Sequence, residues 1–274
     1  MRDMKNQDLE RQNEEFWNEL CGTAFARALG LTARDRSTIE AYDAAYLAYY
    51  PYLEGYLSRF ALADRRVLEI GLGYGTLGEA ITRRGAIYTG VDIARGPVDM
   101  MRHRLSMLGL PGGDRIVRAS AIALPFPEQS FDYVYSIGCL HHTGALQRSV
   151  EEVRRVLGPG GVAVVMLYHS GSARQWLHAK IPGLAARLRR RSGPSRESIA
   201  RRYDADSSGN AAPHTDFVSR RDVRRLFAGF RSIRIETRNF DVIRRGRILV
   251  PRHRLLGTPL ERWLGLDLYI VART

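Results

Sequence analysis

Hydrophobic residues follow two alternating patterns through residues 64–170. Short apolar runs of the kind that forms buried strands are separated by longer stretches with the apolar spacing of amphipathic helices. Strands that alternate with helices in this way predict an α/β fold with a parallel, doubly wound sheet. The predicted strands are 67–70, 86–91, 115–119, 131–136 and 162–168, and the predicted helices are 76–84, 97–108 and 145–157.

The regions on either side of this core have different patterns. Residues 1–63 predict amphipathic helices, with a break near residue 22 and a tyrosine-rich helical stretch at 38–57. Residues 171–218 interrupt the core pattern with a basic helical stretch and a polar loop. A lid over the substrate site is one interpretation of this insertion, and a solvated surface flap is the other. The expected units are a helical cap (1–63), the core (64–170), a lid-like insertion (171–218), and the C-terminal part of the core (219–274), which contains a basic and apolar insertion at 240–264.

Three alternating glycines follow the first predicted strand, at Gly71, Gly73 and Gly75. Glycine is needed where φ is positive, or where a ligand lies directly against the backbone. The helix that begins at Thr76 would place its N-terminus at the same point. Asp92 ends the second predicted strand, at a distance along the chain that suits an acidic residue accepting hydrogen bonds from a ribose. A cap for the following helix is the alternative role for Asp92.

Composition and charge narrow the class of protein. The N-terminal residues lack the apolar core of a signal peptide, and no apolar run approaches the roughly 20 residues of a membrane span, so we expect a cytoplasmic protein. The net charge is +13, and residues 171–274 contain 23 basic and 9 acidic residues. An arginine-biased composition is one explanation, and an anionic partner is the other.

Four motifs, in order and spacing, resemble the class I S-adenosylmethionine-dependent methyltransferases of the type 11 group. They are Val-Leu-Glu-Ile-Gly-Leu-Gly-Tyr-Gly at 67–75, Gly-Val-Asp-Ile at 90–93, Leu-Pro-Phe with Phe-Asp-Tyr-Val within 124–134, and Arg-Arg-Val-Leu-Gly-Pro-Gly-Gly at 154–161. A nicotinamide dehydrogenase does not explain the last two motifs. The resemblance implies a Rossmann-like, seven-stranded sheet whose last two strands are 233–237 and 268–272, the final strand being antiparallel.

The resemblance also implies S-adenosylmethionine as the cofactor, with S-adenosylhomocysteine as the product. The family usually has Gly-Asp after the third strand, where the carboxylate contacts the adenine amino group, but this chain has Ala119-Ser120. Either the Ser120 hydroxyl or the backbone around Ala121 and Ile122 would then read the adenine. The expected cofactor-binding residues are Glu69, Gly71, Gly73, Tyr74, Gly75, Thr76, Asp92, Ile93, Ser120, Ala121, Ile122, Ser136 and Ile137.

Two adjacent histidines, His141 and His142, follow the fourth predicted strand, at the sheet edge where ligands bind in open α/β folds. A histidine with a pKa near neutral can remove the proton from an acceptor hydroxyl, so one of them is a candidate base, with shaping of the cleft as the alternative. No metal is expected, because Cys139 is too close in sequence to both histidines to complete a tetrahedral site. The candidate substrate residues are Tyr46, Tyr49, Tyr50, His169, Tyr203 and His214. For the tyrosines of 38–57, packing of the N-terminal helices onto the core is the alternative, and the simpler one.

These features predict a methyltransferase whose acceptor is a small or medium-sized metabolite. O-methylation is the first expectation and N-methylation the second, on a natural-product or envelope intermediate of anionic character. An RNA-modifying enzyme that uses the basic C-terminal third is the alternative. The insertion at 240–264 would contact a membrane surface, an acyl chain or a partner, or be buried against 176–191. Both a monomer and a homodimer remain open.

Overall fold

The computed structural model describes residues 2–19, 25–26, 29–31, 34–188, 192–245 and 248–274. A seven-stranded sheet in the order β3-β2-β1-β4-β5-β9-β6 forms the centre of the molecule. The first five strands in the chain pair in parallel, and β9 runs antiparallel to both of its neighbours. The Rossmann-like sheet with an antiparallel final strand is therefore confirmed. Its strands are β1 (Arg66–Ile70), β2 (Ile87–Asp92), β3 (Ile116–Arg118), β4 (Phe131–Ile137), β5 (Leu157–Tyr168), β6 (Ser232–Arg238) and β9 (Asp267–Arg273).

Helices flank this sheet and cover the carboxyl ends of its parallel strands. A small two-stranded sheet, β7 (Ile243–Arg245) with β8 (Ile248–Val250), lies within the second insertion. A short π-helical stretch, Trp176–Lys180, joins two of the helices, α7 and α8. The helices are α1 (Arg2–Glu19), α2 (Arg36–Tyr49), α3 (Leu53–Ser58), α4 (Thr76–Thr82), α5 (Arg95–Met107), α6 (Leu146–Val156), α7 (Ala173–Gln175), α8 (Ile181–Leu188), α9 (Arg196–Ala200), α10 (Arg220–Leu226) and α11 (Pro259–Leu264).

The core consists of two apolar layers, one on each face of the sheet. Successive strand residues point to opposite faces, so Leu68 packs in one layer and Val67 in the other. Alternation also predicts that Phe131 shares a face with Tyr133, but Phe131 packs in the same layer as Val134. The pairing of β4 with β5 shifts register between Phe131 and Tyr133, and this irregularity turns the first residue of β4 to the other side.

In the regions that flank the core, the structure agrees with some of the predictions made from the sequence and differs from others. Ser219 caps α10 with a reciprocal capping box, as a serine at this position favours. The break predicted near residue 22 lies outside the described residues. Within 240–264, Leu255 is 7% exposed, whereas Leu249 and Trp263 are 55% and 79% exposed. Leu249 lies on β8 and Trp263 on α11. Packing of this insertion against 176–191 stays a prediction. The division into four units stays a prediction.

Candidate functional site

The three glycines of the loop between β1 and α4 all have positive φ, but they serve different purposes. A Cβ on Gly71 would lie 2.5 Å from Cys139 Cβ, and one on Gly75 would lie 2.9 Å from Met101 Sδ. These two glycines allow close packing of the loop. A Cβ on Gly73 would meet no atom within 4 Å. The middle of the loop therefore faces an adjoining cavity with backbone that carries no side chain. A residue larger than glycine at this position would occupy part of that cavity.

Asp92, at the carboxyl end of β2, holds the loop in place. Its Oδ2 accepts a hydrogen bond from Leu72 N at 2.8 Å, and its Oδ1 accepts one from Ala94 N at 2.9 Å. Burial raises the pKa of Asp92 to about 6, and the backbone donors oppose that rise. Each carboxylate oxygen accepts one of these two bonds and has further lone-pair capacity, which is the chemistry that vicinal hydroxyls of a ribose require. The side chain lines the cavity.

Glu69 lies one residue before the end of β1 and also lines the cavity. Its Oε2 accepts a hydrogen bond of 2.5 Å from the Tyr88 hydroxyl. Burial raises the pKa of Glu69 to about 8. A cationic group bound beside this carboxylate would favour its ionised form, so the site is suited to the ammonium group of an amino acid.

Arg104 on α5 is fully buried beneath the loop, a role that no sequence pattern predicts. It donates to Tyr74 O at 2.8 Å and to Glu79 Oε2 at 2.6 Å, and it also pairs with Asp43 on α2. Asp43 in turn accepts a hydrogen bond of 2.6 Å from Thr76 Oγ1. One guanidinium therefore joins the loop, α4 and α2. Arginine suits this position because its planar guanidinium has five hydrogen-bond donors and stays charged when buried.

Helix α1 covers the cavity from above. Asn13 Nδ2 donates to His142 O at 2.8 Å, and the Trp17 ring centroid lies 4.6 Å from that of His142. At the other end of the cavity, Ser120 Oγ donates a short hydrogen bond to the Glu10 carboxylate. Both Glu10 and Ser120 line the cavity. The family usually has an aspartate at position 120, where this chain has serine. A carboxylate nevertheless lies beside this position, because Glu10, 110 positions earlier in the chain, supplies it.

The two histidines occupy different positions. His142 lines the cavity, whereas His141 is fully buried and packs its ring 4.1 Å from that of Tyr168. The Nδ1 of His142 lies 2.8 Å from His214 O; because a carbonyl can only accept, this nitrogen carries the proton. The other nitrogen, Nε2, has no hydrogen-bond partner among the described residues and lies 3.6 Å from Asp204 Oδ2.

Burial determines the protonation of both histidines. It lowers the pKa of His141 well below the usual value, and the neighbouring His142 adds to that effect. Burial also lowers the pKa of His142, although the Asp204 carboxylate opposes this. Asp204 accepts a hydrogen bond of 2.9 Å from the Tyr168 hydroxyl. At neutral pH, His142 therefore has an unprotonated Nε2 and a carboxylate nearby to stabilise the imidazolium if it forms.

The cavity has a volume of about 220 Å³ and brings together most of the residues that the sequence predicted. Ser136 and His169 lie outside it: Ser136 Oγ donates to Ile70 O, and the His169 Nδ1 lies 3.0 Å from Gly265 O. The predicted residues that line the cavity are Tyr46, Glu69, Gly71, Gly73, Tyr74, Gly75, Thr76, Asp92, Ile93, Ser120, Ala121, Ile137 and His142. Those that do not line it are Tyr49, Tyr50, Ile122, Ser136, His141, His169, Tyr203 and His214.

Four functional candidates were missed by sequence reasoning: Glu10, Asn13, Trp17 and Asp204. Glu10, Asn13 and Trp17 lie on one face of an N-terminal helix, with the three- and four-residue spacing of a helical stripe. That stripe includes a buried asparagine, which is a signal for a specific polar contact, because buried polar groups are normally hydrogen-bonded. Asp204 lies in a loop, and no pattern in its neighbourhood pointed to the histidines.

The strand order, the glycine loop and the acidic residues at two strand ends define a class I methyltransferase fold. The sequence profile of the methyltransferase domain family matches residues 68–165. This part of the chain belongs to the class I S-adenosylmethionine-dependent methyltransferases, and membership implies S-adenosylmethionine as the cofactor. Three features of the cavity suit this cofactor. The acceptor oxygens of Asp92 suit the ribose hydroxyls, the buried carboxylate of Glu69 suits the ammonium group, and the lack of a side chain at Gly73 leaves space beside the loop.

Two curated relatives match part of the chain. Phthiotriol/phenolphthiotriol dimycocerosates methyltransferase 1 of Mycobacterium ulcerans is 39% identical over 102 residues, which is 36% of each protein. Fatty-acid O-methyltransferase of Mycolicibacterium smegmatis is 37% identical over 111 residues, which is 39% of each. The chain therefore spans well under half the length of these relatives.

A solved structure shows the fold over a longer range. A S-adenosylmethionine-dependent methyltransferase from Thermotoga maritima, described as a possible histamine N-methyltransferase, superposes with a TM-score of 0.53. The match covers 86% of this chain and 95% of that one at 18% sequence identity, so it concerns the fold alone. Among the described residues, no helix combines the length and the apolar character needed to cross a bilayer.

Proposed function

We propose that the protein transfers a methyl group from S-adenosylmethionine to an oxygen atom of a small or medium-sized metabolite. The observation that carries the proposal is the shared cavity: the bare backbone of Gly73 and the carboxylate of Asp92 line one part of it, and His142 lines another. A candidate cofactor site and a candidate base therefore border the same cavity. The roof formed by α1 favours a small acceptor over RNA.

The residues that would hold the cofactor follow from the geometry of the cavity. Glu69 and the loop around Gly73 would bind the amino-acid end, and Asp92 would accept hydrogen bonds from the ribose hydroxyls. Glu10, oriented by the Ser120 hydroxyl, would accept a hydrogen bond from the adenine amino group. When bound, S-adenosylmethionine supplies an electrophilic methyl group on a positively charged sulfur.

The residue that would act on the acceptor is His142. Its Nδ1 proton is held by His214 O, so Nε2 is left as the basic atom. This nitrogen is buried, so an acceptor hydroxyl would have to displace the side chains around it to give up its proton there. Asp204 would stabilise the resulting imidazolium, and Tyr168 would keep that carboxylate in place. The ring of Trp17 and helix α1 would exclude water from the reacting groups. His141 would support the ring of His142 from behind.

Two considerations support an O-methyl acceptor of apolar character. The Mycolicibacterium relative is named for fatty-acid O-methylation, and the Mycobacterium relative for dimycocerosates. The cavity walls include Trp17, Tyr46 and Leu53, which suit an apolar body rather than a highly charged one. A natural-product or envelope intermediate with one polar end agrees with these features. N-methylation is the second possibility, because an amine acceptor would need the same base.

The proposal is tested first by the affinity of the protein for S-adenosylhomocysteine in calorimetry, and then by its activity. The protein would be incubated with S-adenosylmethionine carrying a labelled methyl group and with an extract of metabolites and lipids. Transfer of the label, with a mass gain equal to the replacement of H by CH3, would identify the acceptor. Absence of S-adenosylhomocysteine binding would contradict the cofactor assignment.

The base assignment is tested on that acceptor by comparing His142→Gln with His141→Gln. Removal of a general base should lower kcat about 10²- to 10⁴-fold in His142→Gln. His141→Gln, which changes packing behind the base, should lower kcat by less than about tenfold. Both should bind S-adenosylhomocysteine as the wild type does. Wild-type turnover by His142→Gln would exclude this residue as the base.

A further inference from the structure

The helical segment Ala173–Leu188, which comprises α7, the π-helical stretch and α8, has an unusual distribution of side chains. Its large apolar residues face solvent: Leu177, Ile181, Leu184 and Leu188 are between 55% and 77% exposed. Its half-buried positions include the small residues Ala179, Pro182 and Ala186, and none of these positions holds a large aliphatic residue. A surface helix normally buries its large apolar stripe against the core. Here the orientation is reversed.

The four exposed residues form one continuous surface, which we call the outer stripe (Leu177, Ile181, Leu184 and Leu188). Their spacing of three and four positions places them on one side of the helix. The stripe spans about 16 Å along the axis, given a rise of ~1.5 Å per residue. Contiguous exposed apolar surface of this kind marks an interaction site, whereas singly scattered apolar residues need no explanation.

The charges around the outer stripe indicate what it meets. Residues 173–202 contain nine basic residues and one acidic residue. On the helix itself, Lys180 and Arg187 are exposed, and Lys180 lies over the Trp176 ring at 4.4 Å. A second copy of the chain would bring the same excess of positive charge to the interface, which disfavours self-association through this face. An apolar stripe flanked by cations is the pattern of a helix that lies in the surface of an anionic bilayer.

The position of the segment places this surface next to the acceptor side of the cavity. Arg174, at its start, pairs with Asp241 at 2.6 Å and stacks on the Tyr203 ring at 4.4 Å. Tyr203 in turn lies 4.7 Å from Tyr168, whose ring packs on both histidines. The base of the helix is thus fixed to the folded body, while the outer stripe extends into solvent.

We propose that the outer stripe binds the surface of a lipid bilayer that carries anionic headgroups. The apolar side chains enter the boundary between headgroups and acyl chains, and the exposed Lys180 and Arg187 contact the phosphates. This binding does not depend on methyl transfer, so the two proposals can fail separately. It uses residues that the cavity does not.

The experiment measures co-sedimentation of the full chain with vesicles of phosphatidylcholine, with or without about one third phosphatidylglycerol. The wild type should bind the anionic vesicles and lose binding at high salt. The variant Ile181→Ser/Leu184→Ser/Leu188→Ser should bind them at least about tenfold more weakly, because three buried apolar groups are lost. Ile87→Thr is the matched control: Ile87 is 45% exposed at the amino end of β2, away from the site, and its replacement should leave binding unchanged.

A second variant guards against misfolding of the first. Lys180→Glu/Arg187→Glu keeps the apolar residues and should weaken binding to anionic vesicles while leaving S-adenosylhomocysteine affinity unchanged. Equal binding of wild type and both variants would overturn the proposal, as would failure of the wild type to bind anionic vesicles. A wild-type dimer in sedimentation that the serine variant converts to monomer would also overturn it, since the stripe would then join two copies.

Discussion

The cofactor part and the acceptor part of the cavity are built in different ways. The loop around Gly73, Glu69 and Asp92 comes from one continuous stretch of chain, in which β1, a turn, α4 and β2 follow one another. The acceptor part joins His142 to Asn13, which is 129 positions away, and to Asp204 in a later insertion. The first arrangement is local and the second depends on how distant segments pack.

The two parts also differ in what holds them in place. Beneath the cofactor loop, Arg104 is fully buried and joins three segments through ion pairs and a backbone contact. Around His142, contacts consist of ring packing and single hydrogen bonds to residues of α1 and the insertion. We therefore expect a rigid cofactor site beside an acceptor site that can vary without unfolding the core, which suits a family that methylates different acceptors.

The largest effect should come from breaking the buried network below the loop. Arg104→Met leaves the Asp43 and Glu79 carboxylates without their shared cation, so the free energy of unfolding should fall by about 3–5 kcal/mol. Urea denaturation of the two proteins would measure the change. The matched control is Arg102→Met on the same helix; this side chain is exposed and donates to Ile116 O at 2.6 Å. Equal losses in both variants would show that the cofactor part is not held by Arg104.

A smaller effect is expected where α1 reaches the cofactor part. Glu10→Gln keeps the shape but removes the charge, so the affinity for S-adenosylhomocysteine should fall about tenfold, as for the loss of a hydrogen bond to a charged group. Calorimetry would measure it. Glu14→Gln is the control, because Glu14 pairs with Arg118 at 2.8 Å and tethers the same helix without lining the cavity. If both variants bind equally weakly, Glu10 acts only by docking the helix.

The smallest effect should be a shift in the pH dependence of kcat/KM when Asp204, on the acceptor side, is replaced. The Asp204 carboxylate raises the pKa of His142 against the lowering by burial, so Asp204→Asn should lower that pKa. Because the base works unprotonated, the acid limb of kcat/KM should move to lower pH, by less than about one unit. Asp206→Asn, whose side chain bonds to Asn210, should leave the limb in place. A shift to higher pH would contradict the role of Asp204.

The contrast between the two parts explains what could be predicted from the sequence. The sheet and the glycine loop follow from periodicity and motifs, because their residues are close along the chain. The contact of Glu10 with Ser120 could not be predicted, since the direction in which α1 crosses the sheet depends on packing against α5 and β3. The face of Phe131 was also unpredictable, because one register shift reverses it. Asp204 is a charged loop residue whose partner is set by tertiary structure.

Helix α1 covers both parts of the cavity, with Glu10 over one and Asn13 and Trp17 over the other. Because α1 lies over both parts, it should influence the order in which the cofactor and the acceptor bind. Since one helix borders both parts, we expect the position of α1 to affect access for both ligands. We expect that whichever ligand binds first will fix the position of α1 and so affect the entry of the second ligand. Release of S-adenosylhomocysteine should then require α1 to move away from the cavity.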